Sequence, residues 1–360
     1  ADMDFKTAPE ILEALNQRVN HGVFGYTNTK PHYFEAVKNW MKSHHNYEIK
    51  QDWLVETPGV VFAIATAIRG LTKKNDSILL LSPVYYPFSN IIKNTGRKIV
   101  SSSLQWKENL QGIGHWEIDF EDLEAKIKKH NVKLFLLCNP HNPGGRVWNK
   151  TKLERIAEIC LKHNVLVFSD EIHCDFVWAP NVHTVFASLS TEIEQITITA
   201  TSPSKSFNLA GLQVSNIFIA NKNLRQKFKI EKAKTGYDEP NTLGLVAAET
   251  ALRNGNPWLL ECKKVIYENL VFASNYLNNS GIGLKASVPE GTYLLWVDCS
   301  NLPFDDTEQN RRIVKEGNLW LDSGHIFGPE GLNFQRINVA TSHQYLEQGL
   351  KAFVRCLSNK

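Results

Sequence analysis

Four short apolar runs separated by helix-length or longer segments constrain this chain more than any other feature. They are SILLLS at 77–82, KLFLLC at 133–138, VLVFS at 165–169 and ITITA at 196–200. Most lack strict alternation, as strands do when both faces of their sheet are covered. Helical periods lie between them. Asp119–His130 opens on an aspartate cap, and Thr151–His163 opens with the capping-box spacing Thr151…Glu154. Strand, helix, strand at these distances requires parallel crossovers, and hence a three-layer α/β domain.

Each run leads into polar or Gly/Pro-rich sequence: Pro83–Pro87, Asn139–Gly145, Asp170–His173 and Thr201–Lys205. Ligands bind at the carboxyl ends of strands in open α/β sheets, so four successive strand ends nominate one site. The pattern changes after about Pro257. A long amphipathic stretch to Asn279 is followed by the strands Tyr293–Asp298 and Gln335–Thr341 and a closing helix near His343–Leu357. The expected organisation is a large α/β domain over 20–256, with 1–19 and 257–360 forming a smaller α+β domain.

Composition excludes several classes. Forty Lys and Arg against 37 Asp and Glu leave a formal charge of +3 over 360 residues, without the dense basic run of a nucleic-acid or membrane-surface protein. No stretch of 18 apolar residues occurs. Six cysteines, none in a CxxC pair, suit a reducing compartment, and a cytoplasmic protein is expected. Metal binding lacks a pattern: there is no HExxH, the adjacent His44 and His45 diverge on a helix, and His173 and Cys174 have no evident partners.

Several residues could carry chemistry. Lys205 follows a strand and lies among the small hydroxyls Ser202 and Ser204; such a lysine is either a solvated loop residue or, if desolvated, a Schiff-base former. Asp170 either caps a following helix or acts as a fixed anion beside a heteroaromatic nitrogen. Asn142, between two prolines, is a turn residue or a rigid amide donor. Thr57-Pro58-Gly59-Val60-Val61 opens a helical run to Leu71, a plausible phosphate seat. There is no GxGxxG after a strand and no Walker motif. Ser202…Lys205, Ser206…Asn208 and Lys234-Thr235-Gly236 spell the penicillin-binding set, but the first two overlap too closely to project from separate loops.

With Asp170, Asn142 and Lys205 in order, the chain resembles the fold-type I pyridoxal-phosphate enzymes, and within them the cystathionine β-lyase-like C–S lyases. The resemblance is carried by ADMDF at 1–5, HGVFGY at 21–26, SPVYYPF at 82–88, NPHNPGGRVW at 139–148, SDEIHCDF at 169–176, SPSKSFNLAGLQ at 202–213, PEGTYLLW at 289–296 and FQRINVA at 334–340. It implies a three-layer αβα large domain with a smaller α+β domain, and roughly thirty residues preceding Ala1.

The resemblance also implies roles. Lys205 holds pyridoxal 5′-phosphate as a Schiff base and then moves protons, Asp170 pairs with the pyridine nitrogen, and Asn142 bonds the phenolic oxygen with His173 close by. Tyr85 stacks on the ring; Val60 and Val61 amides with Ser202 and Ser204 seat the phosphate. Tyr26 reaches the phosphate of the neighbouring subunit of a homodimer, and Arg336 clamps the substrate carboxylate. Gln213 stands where many aminotransferases have a phosphate-binding arginine, and Ser323 where the family loop has proline. The expected reaction is β-elimination from L-cystathionine, L-cysteine and related S-conjugates, giving homocysteine or hydrogen sulfide, pyruvate and ammonia, as in methionine biosynthesis. The alternatives are an amino-acid aminotransferase and a regulatory protein on an aminotransferase scaffold.

Overall fold

The computed structural model describes residues 2–358. Its larger sheet has seven strands in the order Leu54–Thr57, Ser215–Phe218, Thr197–Thr201, Leu166–Asp170, Leu134–Cys138, Ser77–Ser82 and Lys98–Ser103. Pairing is parallel from Thr197–Thr201 outward to Lys98–Ser103, while Ser215–Phe218 runs antiparallel to both its neighbours. Alternate residues of the central strands enter different cores. Leu79, Leu81, Phe135, Leu137 and Val167 pack on one face, and Ile78, Leu80, Leu134, Leu136 and Phe168 on the other. Both faces are therefore apolar, which is why these strands read as continuous runs.

The helix Val60–Leu71 covers one face and Phe120–His130 and Lys150–Lys162 the other, completing the αβα layers. Asp119 caps Phe120–His130, accepting from the amides of Glu121 at 3.1 Å and Asp122 at 3.0 Å, as its sequence predicts. The start of the next helix differs. Asn149, not Thr151, is the cap of Lys150–Lys162 and accepts from Lys152 N at 3.0 Å. Asn149 is a stronger capping residue in an extended conformation, and it places Thr151 inside the first turn, where the expected box with Glu154 cannot form.

A second, wholly antiparallel sheet orders its strands Lys285–Ala286, Leu294–Asp298, Phe334–Asn338 and Asp322–Ser323. The helices Asn256–Asn278 and His343–Leu357 pack together beside it, giving the smaller α+β domain. The arm at residues 2–5 lies against Asn208 and Ala340, and Pro9–His21 packs on Thr242–Asn254. All six cysteines are buried with free thiols. No helix among the described residues is long and apolar enough to cross a membrane.

Candidate active site

The carboxyl ends of the parallel strands converge on a cavity of about 220 Å³. Nine residues singled out from sequence line it: Val60, Val61, Tyr85, Asn142, Asp170, His173, Ser202, Ser204 and Lys205. Gln213 is there too. Arg336, on the strand Phe334–Asn338 of the small domain, joins from above through a 2.6 Å hydrogen bond from Nη1 to Asn142 Oδ1. That bond commits the amide oxygen of Asn142 and leaves its Nδ2 as a donor. Tyr26 lies elsewhere, 98% exposed on the protomer surface.

Lys205 sits on the one-turn helix Pro203–Ser206, which Ser202 caps by accepting from Ser204 N at 3.1 Å. Ser202 Oγ donates in turn to Val214 O at 2.7 Å, locking the turn against the following segment. Burial lowers the Lys205 pKa, with Arg336 acting in the same direction and Asp2 and Asp170 opposing it. Asp2 Oδ1 is 3.8 Å from Nζ.

Asp170 ends a strand buried on both faces, and no helix follows it. Its Oδ1 accepts from Ile172 N at 3.1 Å within a turn, so the expectation of a helix cap gives way to an Asx turn. Burial pushes its pKa up to about 7, Glu171 adds to the rise, and the Ile172 amide and Lys205 moderate it. His173 is held neutral by burial and by the nearby cations Lys205 and Arg336, and its Nδ1 is buried without a partner among the described residues. Burial pushes the Tyr85 phenol up to about 12, so it too is neutral. On the far wall, Val60–Leu71 begins at Gly59 with no side-chain cap and no acidic residue in its first turn. Its first amides, without a side-chain cap, lie beside the cavity that Val60 and Val61 line.

Two groups escaped the sequence reading. Asp322 pairs with Arg336, its Oδ2 accepting from Nε at 3.2 Å and Nη2 at 2.5 Å, and the guanidinium also lies 4.7 Å from the Phe327 ring centre. Asp2 lies in the quoted ADMDF segment but was given no role. Neither has a local pattern that marks it; each is recognised only by its distant partner.

Two other expectations resolve here. His44 and His45 do diverge: His44 stacks on Trp40 at 3.7 Å, whereas His45 is buried and bonds Asp175 at 2.8 Å. Ligand atoms of His45, Cys174 and Asp175 lie within 4.8 Å of one another, a proximity no spacing rule anticipates. Asp175 is already engaged by His45, Trp40 and Ser206. Of the penicillin-binding residues, Lys234 pairs with Glu231 and does not line the Lys205 cavity, while Ser206 is spent on Asp175.

The family model for aminotransferase class I and II matches residues 1–353. The chain is similar to the cystathionine β-lyase PatB of Bacillus subtilis (strain 168), with 38% identity over 358 residues, 99% of this chain and 91% of that protein. Among solved structures it is similar to cystalysin from Treponema denticola, which contains a pyridoxal 5′-phosphate cofactor: TM-score 0.95, 38% identity, covering 99% of this chain and 89% of that one. It is also similar to a pyridoxal-phosphate-bound C–S lyase from Staphylococcus hominis, complexed with L-cycloserine: TM-score 0.92, 31% identity, covering 99% and 87%.

Proposed function

The chain belongs to the class I and II aminotransferase family, and on that premise we propose a pyridoxal-phosphate-dependent C–S lyase of the cystathionine β-lyase type. It takes small sulfur amino acids, L-cystathionine, L-cysteine and related S-conjugates, and yields a thiol, pyruvate and ammonia. The observation that carries the reading is the convergence of Lys205, Asp170 and Asn142 in one cavity with Arg336 bonded to it.

The residues present fit that coenzyme. The uncapped start of Val60–Leu71 suits its phosphate, supported by the hydroxyl of Ser204, while Ser202, whose proton is donated to Val214 O, lines the same wall. Asp170, a buried carboxylate, suits its ring nitrogen. The buried, unpartnered His173 Nδ1 suits a polar group on the same face. Asn142 Nδ2 is a donor for the phenolic oxygen, and Tyr85 covers the ring. When bound, pyridoxal 5′-phosphate supplies an electron sink for the charge left at the substrate α-carbon.

The chain's own residues do the rest. Lys205 would hold the coenzyme and, as a free amine of lowered pKa, would take the α-proton on Nζ. Asp170, whose burial favours the neutral acid while it is unpaired, would ionise beside the ring nitrogen and so favour that nitrogen's protonated form. Arg336, steadied by Asp322 and Asn142, clamps the substrate carboxylate, which fixes the α-carbon relative to Lys205. The thiol-side substituent would leave the β-carbon with the C–S bonding pair and take up a proton as the thiol, and water would hydrolyse the remaining three-carbon enamine to pyruvate and ammonia.

We assign the site to a homodimer in which Tyr26 reaches the coenzyme phosphate of the neighbouring subunit. Its full exposure, beside the exposed Val23 and Phe24, supports this. We place the domain boundary at 256–257, where the helix Asn256–Asn278 begins, and the protein in a reducing cytoplasm, in keeping with six buried free thiols.

An aminotransferase shares the proton removal but needs a 2-oxo acid. Incubation of the coenzyme-loaded protein with L-cystathionine is expected to release pyruvate through many turnovers without added acceptor, and Lys205→Ala is expected to abolish both the release and the visible coenzyme band. Strict dependence on a 2-oxo acid overturns the lyase reading. A colourless protein after coenzyme addition points instead to a regulatory protein on this scaffold.

A further inference from the structure

Asp2 is held over the cavity by a backbone clasp. Met3 N donates to Asn208 Oδ1 at 3.1 Å, and Asn208 Nδ2 donates to Met3 O at 2.9 Å and Phe5 O at 3.0 Å. Asn338 Nδ2 donates to Asp2 O at 2.5 Å, and Asp4 N donates to Ala340 O at 2.9 Å. Met3 is buried and its sulfur lies 3.8 Å from Cys262 Sγ. The clasp is made by Asn208, three residues beyond Lys205 and in a left-handed conformation at φ 56°. The segment that carries the lysine thus also fixes the register of the arm. A terminal arm without such ties would not hold a carboxylate at a constant distance.

The side chain so placed has Oδ1 3.8 Å from Lys205 Nζ and is 75% exposed. Among the described residues, the other charged groups acting on the lysine are Asp170, from the end of its strand, and Arg336, from the small domain. His173, Tyr85 and Tyr293 also stand nearby, but burial keeps each of them neutral. Burial and Arg336 both drive a proton off the lysine nitrogen. Asp170 opposes them, but under the proposed function its charge is matched by the ring nitrogen, so Asp2 remains to offset Arg336 from the solvent side.

We propose that Asp2 is a positioning residue that holds the proton on the Lys205 nitrogen in the resting, coenzyme-loaded protein, and so keeps the carbon bonded to that nitrogen electrophilic toward the incoming amine. The inference rests on the reading of Lys205 as the coenzyme-bearing residue. It gives the N-terminal arm an electrostatic task in addition to its packing.

The test is a pH titration of the visible absorption band of the coenzyme-loaded full chain. An opposite charge within about 4 Å moves a pKa by one unit or more, and exposure places Asp2 at the low end of that range. Asp2→Asn is expected to move the titration midpoint down by about one pH unit and to lower kcat/KM most on the alkaline side. Asp2→Glu, which retains the anion, is expected to keep most of the wild-type midpoint. Both variants should melt with the wild type, since the side chain is largely exposed. An Asp2→Asn midpoint equal to wild type in an active lyase overturns this assignment and leaves the function standing. A wild-type protein with no titrating band overturns both.

Discussion

Burying the Asp170 carboxylate has a cost that depends on pH. Its pKa rises from 3.8 to about 7 on folding, so the fold favours the neutral acid. Below pH 4 the group is neutral in both states and costs nothing. As pH climbs from about 4 to 7 the unfolded chain ionises first, and stability falls by a few kcal/mol, as a shift of about three units implies. Asp170→Asn is therefore expected to stabilise the coenzyme-free protein at pH 8 and by less than half as much at pH 5, while weakening coenzyme binding at both. Melting temperatures of the two proteins at the two pH values, with a coenzyme titration, check this. Arg336 makes a different prediction. Arg336→Ala removes a charge-assisted clamp on the substrate and is expected to raise KM about 100-fold with a smaller change in kcat, read from initial rates on L-cystathionine. Lys205, Asp170 and Asn142 were legible because strand ends in an α/β sheet are where polar residues meet a ligand. Asp2 and Asp322 were not, because a lone acid in irregular chain takes its meaning from a partner that only folding supplies.

At the level of elements, legibility followed burial. The four central strands were readable because both their faces are covered, whereas the antiparallel strand Ser215–Phe218 and the hairpin Gln105–Glu108 with Gly114–Glu117 were not read. The hairpin's first strand is mostly exposed, so it carries no apolar signature. Helix starts depend on finer chemistry, as the competition between Asn149 and Thr151 illustrates. Asn149→Ala is expected to cost about 1 kcal/mol, while Thr151→Ala stays within about 0.5 kcal/mol of wild type in urea denaturation. The pair His45 and Asp175 lies beyond any local rule, since 130 residues separate its members.

For the whole molecule, the two domains meet where Asn142 of the large one accepts from Arg336 of the small one, so the cavity and the proposed carboxylate clamp are parts of one bonded unit. In the proposed homodimer the second subunit is the remaining component. If Tyr26 donates to the phosphate across the dimer, Tyr26→Phe is expected to raise the coenzyme dissociation constant roughly tenfold or more, the effect of one hydrogen bond to a charged group. The mass by sedimentation should be unchanged. Division into an α/β and an α+β part was legible from the change in periodicity after Pro257; the contact that joins them was not, because its residues lie 194 positions apart.

The cysteines bear on a hazard of the chemistry. A catalyst that releases thiols or sulfide works in its own stream of sulfur, and once dioxygen has oxidised those products to disulfides or polysulfides, any accessible thiolate on its surface exchanges with them to give mixed disulfides and persulfides. Here every cysteine is withdrawn from solvent. Burial also drives the thiols of Cys138, Cys160, Cys174, Cys262, Cys299 and Cys356 away from ionisation. Cys138 alone of the six lines the cavity, where burial and the neighbouring Asp170 carboxylate keep its thiol un-ionised, so the fold offers the oxidised products no ready thiolate with which to exchange.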